Sequence, residues 1–251
     1  MALRLYYFYM KKYFLSALVF LMAARVLNAQ EVVPTDNDTP RQRHWSVGLT
    51  GGMDRNYHIV DMSYMTDYDY SKYAPGTSFG IQFSYSPVKW LSFRLDGVML
   101  NKNYYRDHVH AYSQVQSISL PDTTINQYFN APLVVRLNVG NKVRLHLFGG
   151  GYVGYWLTSF RSGRTQGMNS VVSYFEQVDF WTVESQRRDN RLDAGFVYGA
   201  GVSTLLLNRI ELGVEARYYY GVTDIQKNYM AHLNPRYNST FVLQGGLSYW
   251  F

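Results

Sequence analysis

Ionisable residues recur at alternate positions in several short segments of this chain: Arg94 and Asp96, Arg136, Arg144 and His146, Asp193, and Glu211, Glu215 and Arg217. Successive side chains of an extended backbone point to opposite faces, so each of these residues shares its face with neighbours two positions away and opposes an apolar face. Four arginines (Arg94, Arg136, Arg144, Arg217) meet four carboxylates (Asp96, Asp193, Glu211, Glu215), a balanced set. An enclosed charge is costly unless paired and hydrogen-bonded. The set therefore suits either a salt-bridged filling or a narrow polar passage.

Other chemistry is thinner. His108 and His110 stand two apart beside Asp107, which on an extended strand puts both imidazoles on one face. Two ligands without a local third make a weak metal site, and a solvated loop is the better account of them. Asp107-His108 is similar to the acid and base of outer-membrane proteases, but no second facing carboxylate pair is evident, and His146 lies too far from the outer leaflet for lipid chemistry. No enzymatic site is expected. Gly149-Gly150-Gly151 with Gly154 sits in a strand with no following helix, so its amides belong to a ladder rather than to a phosphate cradle. Those glycines are expected to relieve crowding or permit curvature. No cofactor signature is present, and no Lys/Arg stripe with interleaved aromatics suggests nucleic acid.

The elements that carry these residues are strands. Strict alternation marks about eight of them: Trp45 to Met53, Ser78 to Tyr85, Leu91 to Leu100, Tyr128 to Asn138, Val143 to Leu157, Leu192 to Ser203, Ile210 to Tyr219 and Phe241 to Phe251. The connections alternate in length. Tight ones fall at Pro87-Val88-Lys89, Val139-Gly140-Asn141-Lys142 and Leu206-Leu207-Asn208, and long ones separate the other pairs. An even strand number with short turns at one end and long loops at the other is the outer-membrane pattern, which predicts an eight-stranded antiparallel up-and-down transmembrane β-barrel with four outer loops and short periplasmic turns. An exported soluble barrel of the lipocalin kind is the structural rival, and it would place the apolar face inside.

Composition favours the membrane version. Aromatics make up 17% of the chain, with 24 tyrosines, which is expected of aromatic girdles around a polar interior. There is no cysteine, so disulfides, cysteine-ligated metals and a lipidated cysteine are all excluded. Residues 1–29 read as a signal peptide, with Arg4, Lys11 and Lys12 before an apolar run from Phe14 to Ala24 and a small-residue site at Leu27-Asn28-Ala29. That run is too short for a helical membrane anchor. Removing the segment takes four basic residues, including Arg25, from the formal net charge of +6 and leaves about +2. Residues 30–43 are then a short periplasmic segment, and 44–251 the barrel.

The strand Phe241 to Phe251 places Phe241, Leu243, Gly245, Leu247, Tyr249 and Phe251 on one face and Val242, Gln244, Gly246, Ser248 and Trp250 on the other. Its aromatic face, taken as facing lipid, assigns the charged faces of the other strands to the lumen. Tyr128 to Leu137, followed after a tight turn by Leu147 to Tyr155, resembles the central motif of the Bacteroidetes outer-membrane β-barrel family, often labelled PorT-like or "porin family". Leu247, Tyr249 and Phe251 are similar to the signal read by the barrel assembly machinery. The resemblance covers Trp45 to Phe251 and implies fold and assembly. It carries no particular activity, and a role in type 9 secretion is not transferred.

An eight-stranded barrel encloses room for its own side chains or one small ligand. Arg94, Arg136, Arg144 and Glu211 lie near the short turns and are expected to form a network in the periplasmic half. Distinctive material otherwise falls in the outer loops. Tyr57, Tyr64, Tyr68, Tyr70 and Tyr73 alternate with acids in the first, Asp122-Thr123-Thr124 in the second resembles a short O-glycosylation sequon, and Phe160, Tyr174, Phe175, Phe180 and Trp181 occupy the third. Expected partners are outer-membrane lipid and lipopolysaccharide, the assembly machinery, and a protein or glycan at the loops. A structural or partner-binding role stands beside a narrow channel as the two readings.

Overall fold

A computed structural model of the chain describes residues 44–60, 71–112, 117–166, 171–206, 209–227 and 235–251. Residues 1–43, which hold the expected signal and periplasmic segment, lie outside the described residues. Among the described residues there are ten strands: β1 (Trp45–Val60), β2 (Ser71–Val88), β3 (Leu91–Asn101), β4 (Tyr104–Tyr112), β5 (Ser117–Val139), β6 (Val143–Gln166), β7 (Val171–Gln177), β8 (Leu192–Leu206), β9 (Ile210–Gly221) and β10 (Arg236–Trp250), with a short helix, α1 (Val183–Arg188).

Eight of them close a ring in the order β1-β2-β3-β5-β6-β8-β9-β10, and β10 pairs antiparallel with β1 from Ser46↔Trp250 to Val60↔Arg236. Closure removes every strand edge from the body of the barrel, which is what a β-protein in hydrocarbon requires. The tight connections gather at one end. Gly140 occupies the turn between β5 and β6 with φ 112°, a left-handed conformation open to glycine, and a Cβ there would lie 2.2 Å from the Val143 carbonyl oxygen.

The alternation decides the two faces. Leu49, Ile81, Leu95, Leu133, Leu147, Val153, Leu212, Val214, Leu243 and Leu247 point outward and are exposed, while their neighbours Thr50, Gln82, Arg94, Asp96, Glu211, Glu215, Gln244 and Ser248 are buried. This is the inverse of a lipocalin-type barrel, and lipid is the environment that makes such an exterior favourable. Gly150 faces inward, where a Cβ would lie 2.0 Å from the Leu133 carbonyl oxygen, whereas Gly149 and Gly151 face outward with ordinary room. The glycine run is thus two different things: close approach of the β5 and β6 backbones inside, and a smooth wall outside.

The outer connections differ from the expected loops, because much of their length is β-structure. β4 continues β3 after a break at Lys102 and Asn103, with the Lys102 amide still donating to the Asn126 carbonyl (2.7 Å). It pairs with β2 through Ser71↔Arg106 and with β5 through Tyr104↔Thr124. The β5–β6 ladder continues to Asp122↔Gly163, and β7 extends the β6 wall from Phe160↔Gln177 to Gln166↔Val171. Asp122-Thr123-Thr124 accordingly lies within β5, and Thr124 is buried. Beyond the membrane both strand faces meet polar surroundings, so the apolar alternation that revealed the barrel strands fades while hydrogen-bonded pairing persists.

β6 and β8 separate above Tyr155↔Leu192, and the segment around α1 fills the gap. Thr182 caps α1 by accepting from the Ser185 amide (3.2 Å), and the Asn190 amide donates to the Ile225 carbonyl (2.9 Å), which ties the segment to the chain following β9. Leu133 sits in the middle of the apolar band of β5, between Phe129 and Leu137. Replacing it with arginine should destabilise the barrel by about 2–4 kcal/mol, because a charge is then presented to hydrocarbon. Urea unfolding in phosphatidylcholine vesicles measures this, and a loss below about 1 kcal/mol would contradict the outward assignment of this face.

Candidate functional site

Among the described residues charge is concentrated in the lumen, and it is stratified. From the short turns outward, an ionic level is followed by an apolar layer, then a second ion pair, then aromatic rings. β3 shows the sequence in Arg94, Asp96, Val98, Leu100 and finally Lys102, all buried.

The lower cluster is centred on Glu215. Arg94 donates to it in bidentate fashion from the opposite wall, Nη1 to Oε1 at 2.6 Å and Nη2 to Oε2 at 2.9 Å. Arg217 donates to Glu215 Oε2 through Nε (3.1 Å) and Nη2 (3.0 Å), and to Asp96 Oδ2 through Nη1 (2.6 Å). Arg94 Nε lies 3.5 Å from Asp96 Oδ1, which completes a ring of four charges. The His146 ring nitrogen Nε2 stands 3.0 Å from Glu215 Oε1. β3 and β9 are four strands apart in the ring of eight, so Arg94–Glu215 and Asp96–Arg217 span its full width.

Glu211 forms a second knot closer to the turns. Arg136 Nη2 donates to its Oε1 (2.7 Å) and Trp250 Nε1 to its Oε2 (2.8 Å), while Arg136 Nε donates to Asn138 Oδ1 (2.7 Å). Arg144 is more peripheral, with 26% of its side chain exposed and its Nη1 3.8 Å from Glu211 Oε2. Asp193 does not join this network. It lies toward the outer end and pairs with Lys102, and it also accepts from Asn238 Nδ2 (3.2 Å), Thr223 Oγ1 (3.2 Å) and the Tyr152 hydroxyl (3.3 Å). The eight expected luminal charges thus divide into a lower cluster of seven and one residue engaged elsewhere.

Lys102 and Asp54 are luminal residues that sequence reasoning missed. Both are buried, and both lie just past the point where the apolar alternation weakens, after Leu100 and Met53 respectively. The parity signal was nonetheless present, since Lys102 shares the register of Arg94 and Asp96, and Asp54 that of Thr50 and Gly52. With them, five cations (Arg94, Lys102, Arg136, Arg144, Arg217) face five carboxylates (Asp54, Asp96, Asp193, Glu211, Glu215) inside the described barrel.

The expected polar interior also holds an apolar layer. Leu100, Val134, Phe148, Tyr152, Val197, Tyr219 and Val242 form a buried apolar cluster between the two ionic levels. The Arg94 and Arg217 guanidinium carbons stand 5.1 and 5.4 Å from the centre of the Phe148 ring, so that ring covers the charge quartet from above. Higher still, Lys102 Nζ lies over Tyr128 (4.7 Å) and Tyr152 (5.0 Å). Tyr128 stacks on Trp156 at 5.7 Å, and Phe180 meets Trp156 edge-on at 4.8 Å. Phe180, expected in an exposed loop, is therefore a buried cap on the lumen, while Phe160 stacks with the exposed Phe175 outside (5.5 Å). The luminal cavity lined by Thr50, Gln82, Arg136, Glu211, Glu215 and Gln244 measures ≈ 10 Å³, room for about one water molecule.

Leu247, Tyr249 and Phe251 all face outward, and Arg209 Nη1 donates to the Tyr249 hydroxyl (3.0 Å). The side chains of His108 and His110 on β4 lie outside the described residues, as do those of Tyr57, Tyr64, Tyr68, Tyr70, Tyr73 and Tyr174. Among the described residues no cluster of three or more His, Cys, Asp or Glu forms a metal site.

A closed eight-stranded antiparallel ring with an apolar exterior, a charged interior and turns short at one end defines the outer-membrane class of small barrels. The family model described as outer membrane protein beta-barrel domain matches residues 28–227, and the chain belongs to that family, which places it in the bacterial outer membrane. Among solved structures it is similar to the outer membrane protein OprG from Pseudomonas aeruginosa, at 11% identity over 84% of this chain and 97% of that one, with a TM-score of 0.47. It is also similar to Neisserial surface protein A (15% identity, 82% and 97% covered, TM-score 0.44) and to Ail of Yersinia pestis (12% identity, 84% and 100% covered, TM-score 0.37). No curated protein sequence matches the chain.

Removing one member of the quartet strands the others. Arg217→Met leaves Asp96 and Glu215 short of a buried cation and should cost about 3–5 kcal/mol. Lys102→Met should cost less, because Asp193 keeps its bonds from Asn238, Thr223 and Tyr152. Adding Asp96→Asn to Arg217→Met should recover part of the loss. Urea midpoints of the four proteins, followed by the heat-modifiable gel shift, test this order; a costlier Lys102→Met would invert the hierarchy assigned to the two ionic levels.

Proposed function

We propose that this protein is a plugged outer-membrane barrel that acts structurally or by partner binding through its outer hairpins, without enzymatic activity. The observation that carries the reading is the filled lumen: a cross-barrel charge quartet, an apolar layer above it, and an aromatic cap of Tyr128, Trp156 and Phe180. A solute would have to break buried ion pairs and displace packed rings at successive levels. The outer hairpins, by contrast, extend as paired β-structure from the same strands and present Phe175 to the surroundings. Anchors held on strands bind at smaller ordering cost than anchors on free loops.

The finer assignment, to the PorT-like barrels of Bacteroidetes, rests on the resemblance of Tyr128 to Leu137 and Leu147 to Tyr155. Export through a cleaved signal at residues 1–29 belongs to the same proposal, as do recognition of Leu247, Tyr249 and Phe251 by the assembly machinery and a protein or glycan partner at the hairpins.

The second reading is a narrow channel for ions or small solutes, favoured by the small cavity between Arg136, Glu211 and Glu215. Single-channel recording in planar bilayers separates the two. The plugged barrel should give no steady openings. Steady openings of the unaltered protein that Arg136→Ala enlarges or abolishes would overturn the plug and establish the channel.

A further inference from the structure

Arg191 makes no salt bridge among the described residues. It lies at the outer rim, immediately before β8, where the β6–β8 ladder ends at Tyr155↔Leu192. Its guanidinium is clamped between two aromatic rings, 4.6 Å from the centre of Tyr155 and 4.7 Å from that of Phe180. Its inner edge is anchored to backbone, Nε donating to the Trp156 carbonyl (2.9 Å) and Nη2 to the Leu157 carbonyl (3.3 Å). A guanidinium has five N–H donors in a planar fork. Two are used, and the guanidinium has no carboxylate partner among the described residues. The neighbouring acids in sequence are committed elsewhere, Asp189 to Arg188 (2.7 and 2.9 Å) and Asp193 to Lys102.

What surrounds this fork is apolar and outward-facing. Tyr155, whose ring lies against the guanidinium, is 45% exposed, and Leu192, next to Arg191 in the chain, 52%. They continue the lipid-facing band to its outer margin, the level at which the headgroups of the outer leaflet lie. A fixed guanidinium fork at that level, flanked by side chains suited to acyl chains and sugar rings, matches a tetrahedral oxyanion carried by a lipid.

We infer that Arg191, with Tyr155 and Leu192, forms a binding site on the barrel wall for the phosphate of an outer-leaflet phosphoglycolipid. Its occupant is a lipid rather than a soluble anion, because the site opens onto the apolar wall and one guanidinium alone is a weak anion trap in water. The site is independent of whether the lumen conducts.

The test is native mass spectrometry of the complete folded barrel in phosphatidylcholine nanodiscs containing either lipid A or its dephosphorylated form. Lipid A should be retained about tenfold more tightly than the dephosphorylated lipid, the scale of a charge-assisted bidentate contact. Arg191→Gln should remove that discrimination, and Arg191→Lys should keep only part of it, because lysine has the charge without the fork. Arg209→Gln, which alters an exposed arginine at the opposite rim, should change nothing. Equal retention of the two lipids by the unaltered protein overturns the site, as does undiminished discrimination in an Arg191→Gln protein with an unchanged urea midpoint. Displacement of lipid A by free inorganic phosphate would also overturn the lipid assignment in favour of a soluble anion. Should Arg191→Gln fail to fold, the two-lipid comparison in the unaltered protein and the Arg191→Lys variant still decide the matter.

Discussion

The crossed quartet of Arg94, Asp96, Glu215 and Arg217 is the constraint around which the barrel is organised. Its two salt bridges of 2.6 Å join walls that are four strands apart, and they can form only when the ring has closed with the right number of strands. A slip of one residue in either wall would turn these charges toward lipid and bring Leu95 and Ala216 inside, since the side-chain period is two. Pairing of buried charge is therefore less a source of net stability here than a penalty on every wrong register. The apolar exterior cannot supply that discrimination, because hydrocarbon does not distinguish one leucine-bearing register from another.

The layers above the quartet follow from the same economy of space. Eight strands leave a lumen just wide enough for side chains, and its levels are occupied by ion pairs or by apolar and aromatic side chains. Phe148 closes the quartet from above, and the Leu100–Val134–Tyr152–Val197–Tyr219–Val242 layer separates it from Lys102–Asp193. An apolar layer between two ionic levels lowers the local dielectric at both and strengthens their pairing, at the cost of making any unpaired member more destabilising.

How far the sequence disclosed this depends on what each element faces. Where one face meets lipid and the other meets the lumen, alternation is unmistakable, and the faces of Trp45–Met53, Ser78–Tyr85 and Phe241–Phe251 emerge as the period of two implies. The quartet was also latent in the sequence: Arg94-Leu95-Asp96 and Glu215-Ala216-Arg217 lie on the third and seventh strands of an eight-stranded ring, which face each other and run in the same direction, with complementary charge at each level. Lys102 and Asp54 escaped because strand ends were placed where the apolar pattern faded rather than where parity stopped. β4, β7 and α1 escaped for a different reason. Outside the bilayer no face must be apolar, so backbone pairing persists without an amphipathic signature. The inward course of Phe180 is a tertiary fact, set by the vacancy over Trp156, and no local pattern marks it.

The continuation of strands above the membrane changes the physical character of the outer surface. A flexible loop must lose conformational freedom when it binds, at roughly 1–2 kcal/mol of backbone entropy per residue fixed. The β5–β6–β7 wall has already lost it on folding, and the α1 segment is tied to the chain after β9 by backbone bonds and into the lumen by Phe180. The same ring that caps the interior also holds the Arg191 guanidinium at the rim. Luminal packing and the geometry of the outer rim are therefore mechanically joined at Phe180: loosening the aromatic cap would relax the clamp on Arg191, and strain on the α1 segment would be felt first by Trp156 and Tyr128.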